Sequence, residues 1–199
     1  MDELDLLDWK RRVFALYADV RADPEPQHAW QRWRETRDEL FRDHPQSPLP
    51  AETRALFAGL RYFAYDPTLR VRARVEPQPT EPVEIAASAA SAIAFRRFGV
   101  TRFELGGSER TLELYWLDSY GGGVFLPFAD ETSGAETYGA GRYLLDTVKG
   151  ADLGGGDGAL VLDFNFAYNP SCAYDPGWAC PLAPPANRLP VAVRGGERL

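Results

Sequence analysis

LRVRARV, residues 69–75, alternates apolar and charged side chains without a fault. Its apolar positions are Leu69, Val71, Ala73 and Val75, with an arginine between each neighbouring pair. Because successive side chains of a strand point to opposite faces, this pattern predicts a half-buried strand, as is typical of antiparallel sheets. The stretch decides the fold class, since it marks where helical periodicity gives way to a period of two.

Further segments on the C-terminal side also show strand patterns. They are 100–117, which reads as a hairpin, and then 124–128, 159–166 and 189–193. The hairpin turns through Gly106-Gly107-Ser108, and Pro127 predicts that its strand lies at an edge or contains a bulge. Short strands with glycine turns and no intervening helices predict an antiparallel sandwich or barrel rather than a parallel sheet.

Amphipathic helical segments come before these strands. They are residues 6–20, about 27–41 and 50–59. Proline-rich stretches end the first two, and Pro50 suits the start of the third. We therefore predict an α+β fold in which an N-terminal helical segment, residues 1–60, packs on a mainly antiparallel β domain, residues 61–199, as one structural unit.

Composition limits the classes of partner and the compartment. The net charge is −7, which argues against nucleic acid, because phosphate binding needs a basic face. The N-terminus lacks the features of a signal peptide, and no apolar run approaches the length of a membrane span. These features predict a cytoplasmic protein that binds neither nucleic acid nor membrane, and they leave its oligomeric state open.

The inventory of reactive side chains argues against several chemistries. Both histidines, His28 and His44, lie in the helical part, and no pair of them has zinc-ligand spacing. The glycine-rich stretches 138–143 and 153–160 lack the pattern of a dinucleotide or phosphate loop. We therefore predict no cofactor and no metal.

The polar segment 126–144 is the first candidate for a ligand site. It carries Asp130, Thr132, Tyr138 and Arg142 between several glycines. Such a loop could surround a polar or anionic ligand, with the Arg142 guanidinium binding a carboxylate or phosphate. The alternative is an ordered crossover in which Arg142 pairs with a protein carboxylate.

The predicted strand 159–166 carries Asp163 and Asn165 within an otherwise apolar run. Unpaired burial of such groups costs about 1–3 kcal/mol, so both side chains must be hydrogen-bonded. Either they tether neighbouring loops, for example through Arg142, or Asp163 is a carboxylate with a shifted pKa that faces a pocket.

The phrase Tyr-Asx-Pro occurs three times, at 65–67, 168–170 and 174–176. In each copy the Asx side chain can cap a turn while the proline fixes φ, which explains the repetition without chemistry. Asn169, the Asx of the second copy, follows the exit of the strand 159–166 and joins the candidate ligand-binding residues.

The two cysteines, Cys172 and Cys180, lie on either side of the third copy. Three states remain open: two reduced thiols, a redox-active or structural disulfide in the loop, and half of a metal site. Reduced thiols are favoured, because a cytoplasmic compartment keeps thiols reduced and no second Cys pair or nearby His completes a zinc site.

Several long motifs resemble a known family. They are FLPFADETSGAETYGAGRYL (125–144), LDFNFAYNPSCAY (162–174) and ACPLAPPANRLP (179–190). With them, nearly the whole chain resembles DUF1684, a family of uncharacterised bacterial and archaeal proteins. The resemblance maps characteristic family positions onto Asp130, Thr132, Gly134, Tyr138, Gly139, Gly141, Arg142, Tyr143, Asp163, Asn165, Tyr168, Asn169, Cys172, Tyr174, Cys180 and Asn187. It implies no particular activity.

Three hypotheses for function follow. In the first, the chain binds a small polar or anionic ligand between the loop 129–143 and the exit of the strand 159–166. In the second, it is a hydrolase-like enzyme in which Asp163 or Asp130 acts with Tyr138. In the third, it is a structural or protein-interaction module whose contact surface is the proline-rich C-terminal part. The glycine-bearing polar loop favours the first.

Overall fold

The computed structural model describes residues 2–89 and 92–199 and begins with helices. They are α1 (Glu3–Ala22), α2 (Pro26–Asp43) and the single turn α3 (Ala51–Arg54). The Asp2 carboxylate accepts a hydrogen bond from the Leu4 amide and caps α1. α3 is shorter than predicted, because the amides of Leu56 and Phe57 bond carbonyls three residues back instead of four. No described helix is long and apolar enough to cross a membrane.

The strands form one antiparallel sheet that curls into a half-barrel. They are β1 (Arg70–Ile85), β2 (Ile93–Leu105), β3 (Ser108–Leu117), β4 (Val124–Phe128), β5 (Arg142–Asp146), β6 (Gly155–Gly156) and β7 (Ala159–Asp163). Their order across the sheet is β5-β4-β3-β2-β1-β7-β6. The predicted α+β class, with helices before an antiparallel sheet, is confirmed.

Two local predictions about this sheet are also confirmed. Gly106 and Gly107 join β2 to β3 with φ of 63° and 73°, the left-handed values that a tight hairpin turn requires. The register of β4 against β5 shifts between Leu126 and Pro127, so this proline sits at a bulge. It does not mark an edge, because β4 lies between β3 and β5.

The C-terminal half contains three errors of strand prediction. Residues 189–193 do not form a strand, and the Val193 carbonyl bonds the Arg142 side chain instead of a neighbouring backbone. β5 lies in the segment that the sequence predicts as a loop. The strand predicted over 159–166 ends at Asp163, because the Asp163 side chain caps a 3₁₀ turn over Phe164–Phe166.

The two faces of the sheet bury different apolar clusters. The larger cluster contains side chains of both long helices and of the sheet. Within it, the Trp33 ring packs on Phe166, in the turn that follows β7, with 5.2 Å between the ring centroids. The smaller cluster lies on the other face and contains Phe95, Tyr115 and Phe125. Side chains therefore alternate between two interiors along β3 and β4, and every candidate site lies beside one of them.

Candidate functional site

Arg142 begins β5 and is fully buried. Its Nη2 donates to Asp130 Oδ2 and to the Val193 carbonyl, both at 2.9 Å, and its Nη1 donates to the carbonyls of Gly195 and Glu197. These four bonds use every hydrogen of the two terminal nitrogens. We call this group, Arg142 with Asp130 and the C-terminal carbonyls, the Arg142 clamp. Ligand binding by Arg142 stays a prediction, and it would require the C-terminal segment to move.

The rest of the predicted ligand loop folds onto itself. The Thr132 amide donates to Asp130 Oδ1 at 2.7 Å, and the hydroxyl of Thr132 lies 2.9 Å from that of Thr137. Both threonines are buried. Their polar atoms thus bond each other and Asp130, so the loop has the geometry of the ordered crossover that was the alternative.

Asp163 and Asn165 are buried and adjacent, as predicted, but they do not meet Arg142. Asn165 Nδ2 donates to Asp163 Oδ1 at 2.8 Å, and Asn165 also exchanges two hydrogen bonds with the backbone of Asp66. Arg70 lies 3.5 Å from Asp163. The expectation of an Arg142–Asp163 pair is therefore wrong: these residues tether the first Tyr-Asp-Pro turn. Burial raises the pKa of Asp163 despite its donors.

The two cysteines are free and buried. The Cys172 amide donates to the Cys180 sulfur at 3.4 Å, and the Tyr138 hydroxyl lies 3.6 Å from the Cys172 sulfur. Burial raises the pKa of Cys180 to about 11 and that of Tyr138 to about 12. In the described part of the chain, no group of His, Cys, Asp or Glu side chains has the arrangement of a metal site.

A cavity of about 90 Å³ lies between the helices and the C-terminal loops. Among the predicted ligand-binding residues, only Asn169 lines it. Its wall consists of Trp9, Val13 and Tyr17 from α1, Arg37 and Phe41 from α2, Pro48, Tyr143, Lys149 and Ala151, and residues Tyr168, Asn169, Pro170, Ser171 and Tyr174. We call it the Arg37 cavity, because the Arg37 side chain, only 13% exposed, is the less exposed of the two cations among these residues, the other being Lys149.

Arg37 is held by a carboxylate and by aromatic rings. Its Nη2 donates to Glu197 Oε2 at 2.9 Å, and its Nε donates to the Tyr62 hydroxyl at 3.2 Å. The guanidinium carbon lies 4.8 Å from the Trp33 ring and 5.1 Å from the Tyr168 ring. Such stacking orients a guanidinium while leaving its edge available for hydrogen bonds.

Glu197 is the buried partner of Arg37. It also accepts hydrogen bonds from the Tyr174 hydroxyl and from the Asn169 amide. Burial raises the pKa of Glu197, whereas Arg37 and Tyr174 lower it. The second and third Tyr-Asx-Pro copies therefore meet at one carboxylate, which fixes the loop wall of the cavity.

Two polar atoms on the cavity wall have no hydrogen-bond partner among the described residues. They are the Tyr17 hydroxyl and Asn169 Oδ1, and both side chains are at least nine-tenths buried. Burial raises the pKa of Tyr17 to about 12, although Arg37 and the neighbouring Trp33 indole lower it, so the hydroxyl is neutral. Buried polar atoms are nearly always hydrogen-bonded, so these two atoms retain hydrogen-bonding capacity that the described residues do not use.

The family model described as "Protein of unknown function (DUF1684)" matches residues 55–198 of the chain. The chain belongs to the DUF1684 family. An uncharacterised Haloarcula marismortui protein, solved by solution NMR, is 35% identical to it, and the match covers 87% of this chain and 94% of that chain with a TM-score of 0.61. A search of curated proteins gave no significant match.

The residues matched by the DUF1684 model include the loop wall of the Arg37 cavity but not its helical wall. Tyr168, Asn169 and Tyr174, together with Glu197 behind them, lie within the matched residues 55–198. The α1 and α2 residues, including Tyr17 and Arg37, lie outside that range. The loop wall is thus a family element, while the helical wall is formed by residues that the family model does not include.

Sequence analysis missed most of the Arg37 cavity, although α2 contains a signal. Trp33, Arg37 and Phe41 are spaced four residues apart, which places the arginine on the same helix face as two buried aromatic residues. A cation on an apolar face must be paired or must bind something. No comparable signal marks Tyr17 or Glu197.

Proposed function

We propose that this DUF1684 protein binds a small polar or anionic ligand in the Arg37 cavity. The unpartnered Tyr17 hydroxyl and Asn169 Oδ1, both on the cavity wall, carry the proposal. An unsatisfied buried polar atom costs about 1–3 kcal/mol, so a partner that reaches both atoms recovers a substantial free energy.

The donors and acceptors of the wall define the ligand class. Arg37 bonds protein groups through Nε and Nη2, and Nη1 has no partner among the described residues. Arg37 and Tyr17 can both donate to ligand oxygens, while Asn169 Oδ1 accepts only. The matching ligand has at least one acceptor oxygen toward Arg37 and a donor toward Asn169.

The volume limits the ligand to a few non-hydrogen atoms. A water molecule occupies about 30 Å³ in the liquid, so 90 Å³ holds about three waters or one group of the size of acetate. Arg37 beside the rim residue Lys149 favours a ligand that carries a carboxylate or a carbonyl.

The test uses two probes, acetamide, which has both an acceptor oxygen and N–H donors, and acetate, which has acceptor oxygens only, with titrations followed by amide chemical shifts in ¹⁵N-labelled protein. We expect millimolar binding with shifts centred on residues 168–174. Tyr17→Phe should weaken binding about fivefold, because one hydrogen bond is lost. Tyr120→Phe makes the same chemical change at an exposed tyrosine and should leave affinity unchanged.

Two results would overturn the proposal. The first is no localised shift with either probe, which would mean that the cavity holds only water. The second is binding that Tyr17→Phe and Tyr120→Phe affect equally, which would place the probes elsewhere.

The hydrolase alternative receives less support from the geometry. Asp130 is bonded to Arg142, Asp163 is bonded to Asn165, and Tyr138 contacts Cys172, so these three side chains lie in three separate groups. An acid–base pair needs its members within reach of one substrate. The described residues around Asp130 and Asp163 do not offer that arrangement.

A further inference from the structure

A second concave site lies on the face of the sheet that does not pack on the helices. It is a groove of about 220 Å³, lined mainly by apolar side chains that include Ile93, Phe95, Leu117, Phe125 and Val148. The Phe95 and Phe125 rings stack with centroids 5.1 Å apart. We call it the Phe95 groove. Its volume is below the roughly 300–1,000 Å³ of sites for drug-sized ligands, so it fits a single ring or a short branched chain.

One charged group of the Phe95 groove is nearly buried. Asp146, the last residue of β5, lines the groove, and its side chain is only 10% exposed. Its one ion-pair partner among the described residues is Lys149, whose Nζ lies 3.3 Å away. A buried carboxylate requires a counter-charge, because its desolvation is otherwise costly.

The ion pair between Lys149 and Asp146 is weak. The Lys149 side chain is 63% exposed, and ion pairs with so exposed a lysine contribute little to stability. A competing cation that also buries apolar surface can therefore replace Lys149 beside Asp146.

We propose that the Phe95 groove binds a small apolar amine, whose ammonium group pairs with Asp146 while its ring or alkyl part packs on Phe95 and Phe125. An apolar acid is disfavoured, because it would draw Lys149 away and leave the buried Asp146 unpaired. The net charge of −7 also favours the approach of a cation.

The test compares three probes of similar size and different charge: 2-phenylethylamine, phenylacetate and 2-phenylethanol. Calorimetric titration near neutral pH should give the tightest binding for the amine, weaker binding for the alcohol and the weakest for the acid. Tighter binding of the acid than of the amine, or no binding of the amine, overturns the proposal.

Two variants separate ligand pairing from a merely structural role. Asp146→Asn should weaken amine binding about tenfold or more while sparing the alcohol, because only the charged bond is lost. Lys149→Ala should tighten amine binding about threefold, because it removes the competing cation. Lys10→Ala, at the only other lysine of the chain, is the matched control and should change nothing.

If Asp146→Asn does not fold, the Lys149→Ala variant still tests the proposal, because Lys149 is largely exposed. Weaker amine binding in Lys149→Ala would contradict the proposal directly. This site shares only Lys149 with the residues that line the Arg37 cavity. Tyr17→Phe should leave amine binding unchanged, so either proposal can fail without the other.

Discussion

Two arginines of this protein, each paired with a buried carboxylate, have opposite surroundings. Arg142 donates all hydrogens of its terminal nitrogens to Asp130 and to three C-terminal carbonyls. Arg37 pairs with Glu197 but borders a cavity whose wall contains two polar atoms without partners. The first arrangement leaves only the Arg142 Nε without a hydrogen-bond partner among the described residues, whereas the second has unused hydrogen-bonding capacity beside an open cavity. A buried ion pair therefore does not by itself identify a binding site, and the proposal for the Arg37 cavity rests on unused hydrogen-bonding capacity next to open space.

The largest expected effect concerns the Arg142 clamp. Arg142→Met removes the guanidinium and leaves Asp130 and three carbonyls buried without it, which should lower the free energy of unfolding by about 3–5 kcal/mol. Urea denaturation measures the loss. Arg194→Met is the control, since Arg194 pairs with Glu136 in a largely exposed salt bridge, and it should cost less than about 1 kcal/mol. Equal losses in the two variants would show that the Arg142 clamp is not the structural anchor.

The next effect concerns the thiols beside Tyr138. Burial raises the pKa of Cys180 from 9.0 to about 11, which lowers the thiolate fraction near pH 8 about a hundredfold. In a Cys172→Ser variant, iodoacetamide should therefore label the folded protein about a hundredfold more slowly than the urea-unfolded protein. Because the pKa is raised, the rate should increase with pH up to about 11. Similar rates for folded and unfolded protein would contradict the burial of Cys180.

The smallest effect compares two tyrosines of the Arg37 cavity. Tyr174→Phe removes a donor from the buried Glu197 and should cost about 1–3 kcal/mol of unfolding free energy. Tyr17→Phe removes a hydroxyl without a protein partner and should change stability by less than about 0.5 kcal/mol. Thermal and urea unfolding of both variants provide the measurement. A large loss in Tyr17→Phe would mean that its hydroxyl already has a structural partner.

Local patterns predicted the elements with strong periodicity. The alternation at 69–75 and the paired glycines at 106–107 identified an antiparallel hairpin sheet, and helical spacing identified α1 and α2. The errors lie where a side chain replaces a backbone partner. The Arg142 side chain bonds the carbonyl of Val193, the last residue of the alternating run 189–193, and this run forms no strand. Asp163 ends β7 by capping a turn.

The candidate site was less predictable than the fold. Sequence analysis found Asn169 and the polar residues of the Arg142 clamp. It left open whether Arg142 binds a ligand or pairs with a protein carboxylate, and it named Asp163 as a possible partner, whereas the carboxylate is that of Asp130. The proposed Arg37 cavity depends on Tyr17, Arg37 and Glu197, which come from opposite ends of the chain. Periodicity and turn motifs depend on residues that are close in sequence, so they cannot predict contacts between residues from opposite ends of the chain.

The sequence by itself determined that helices precede an antiparallel sheet, that Asp163 and Asn165 need hydrogen-bond partners, and that the chain belongs with DUF1684. The tertiary structure decided which charged side chains pair with each other and which lie next to a cavity. Arg37 and Arg142 are the same residue type, and they differ in how the C-terminal segment packs against them. Backbone carbonyls of that segment accept hydrogen bonds from Arg142, whereas its Glu197 side chain pairs with Arg37. That difference arises from packing over long sequence separations, where the hydrogen-bonding capacity of each group is either used or left over.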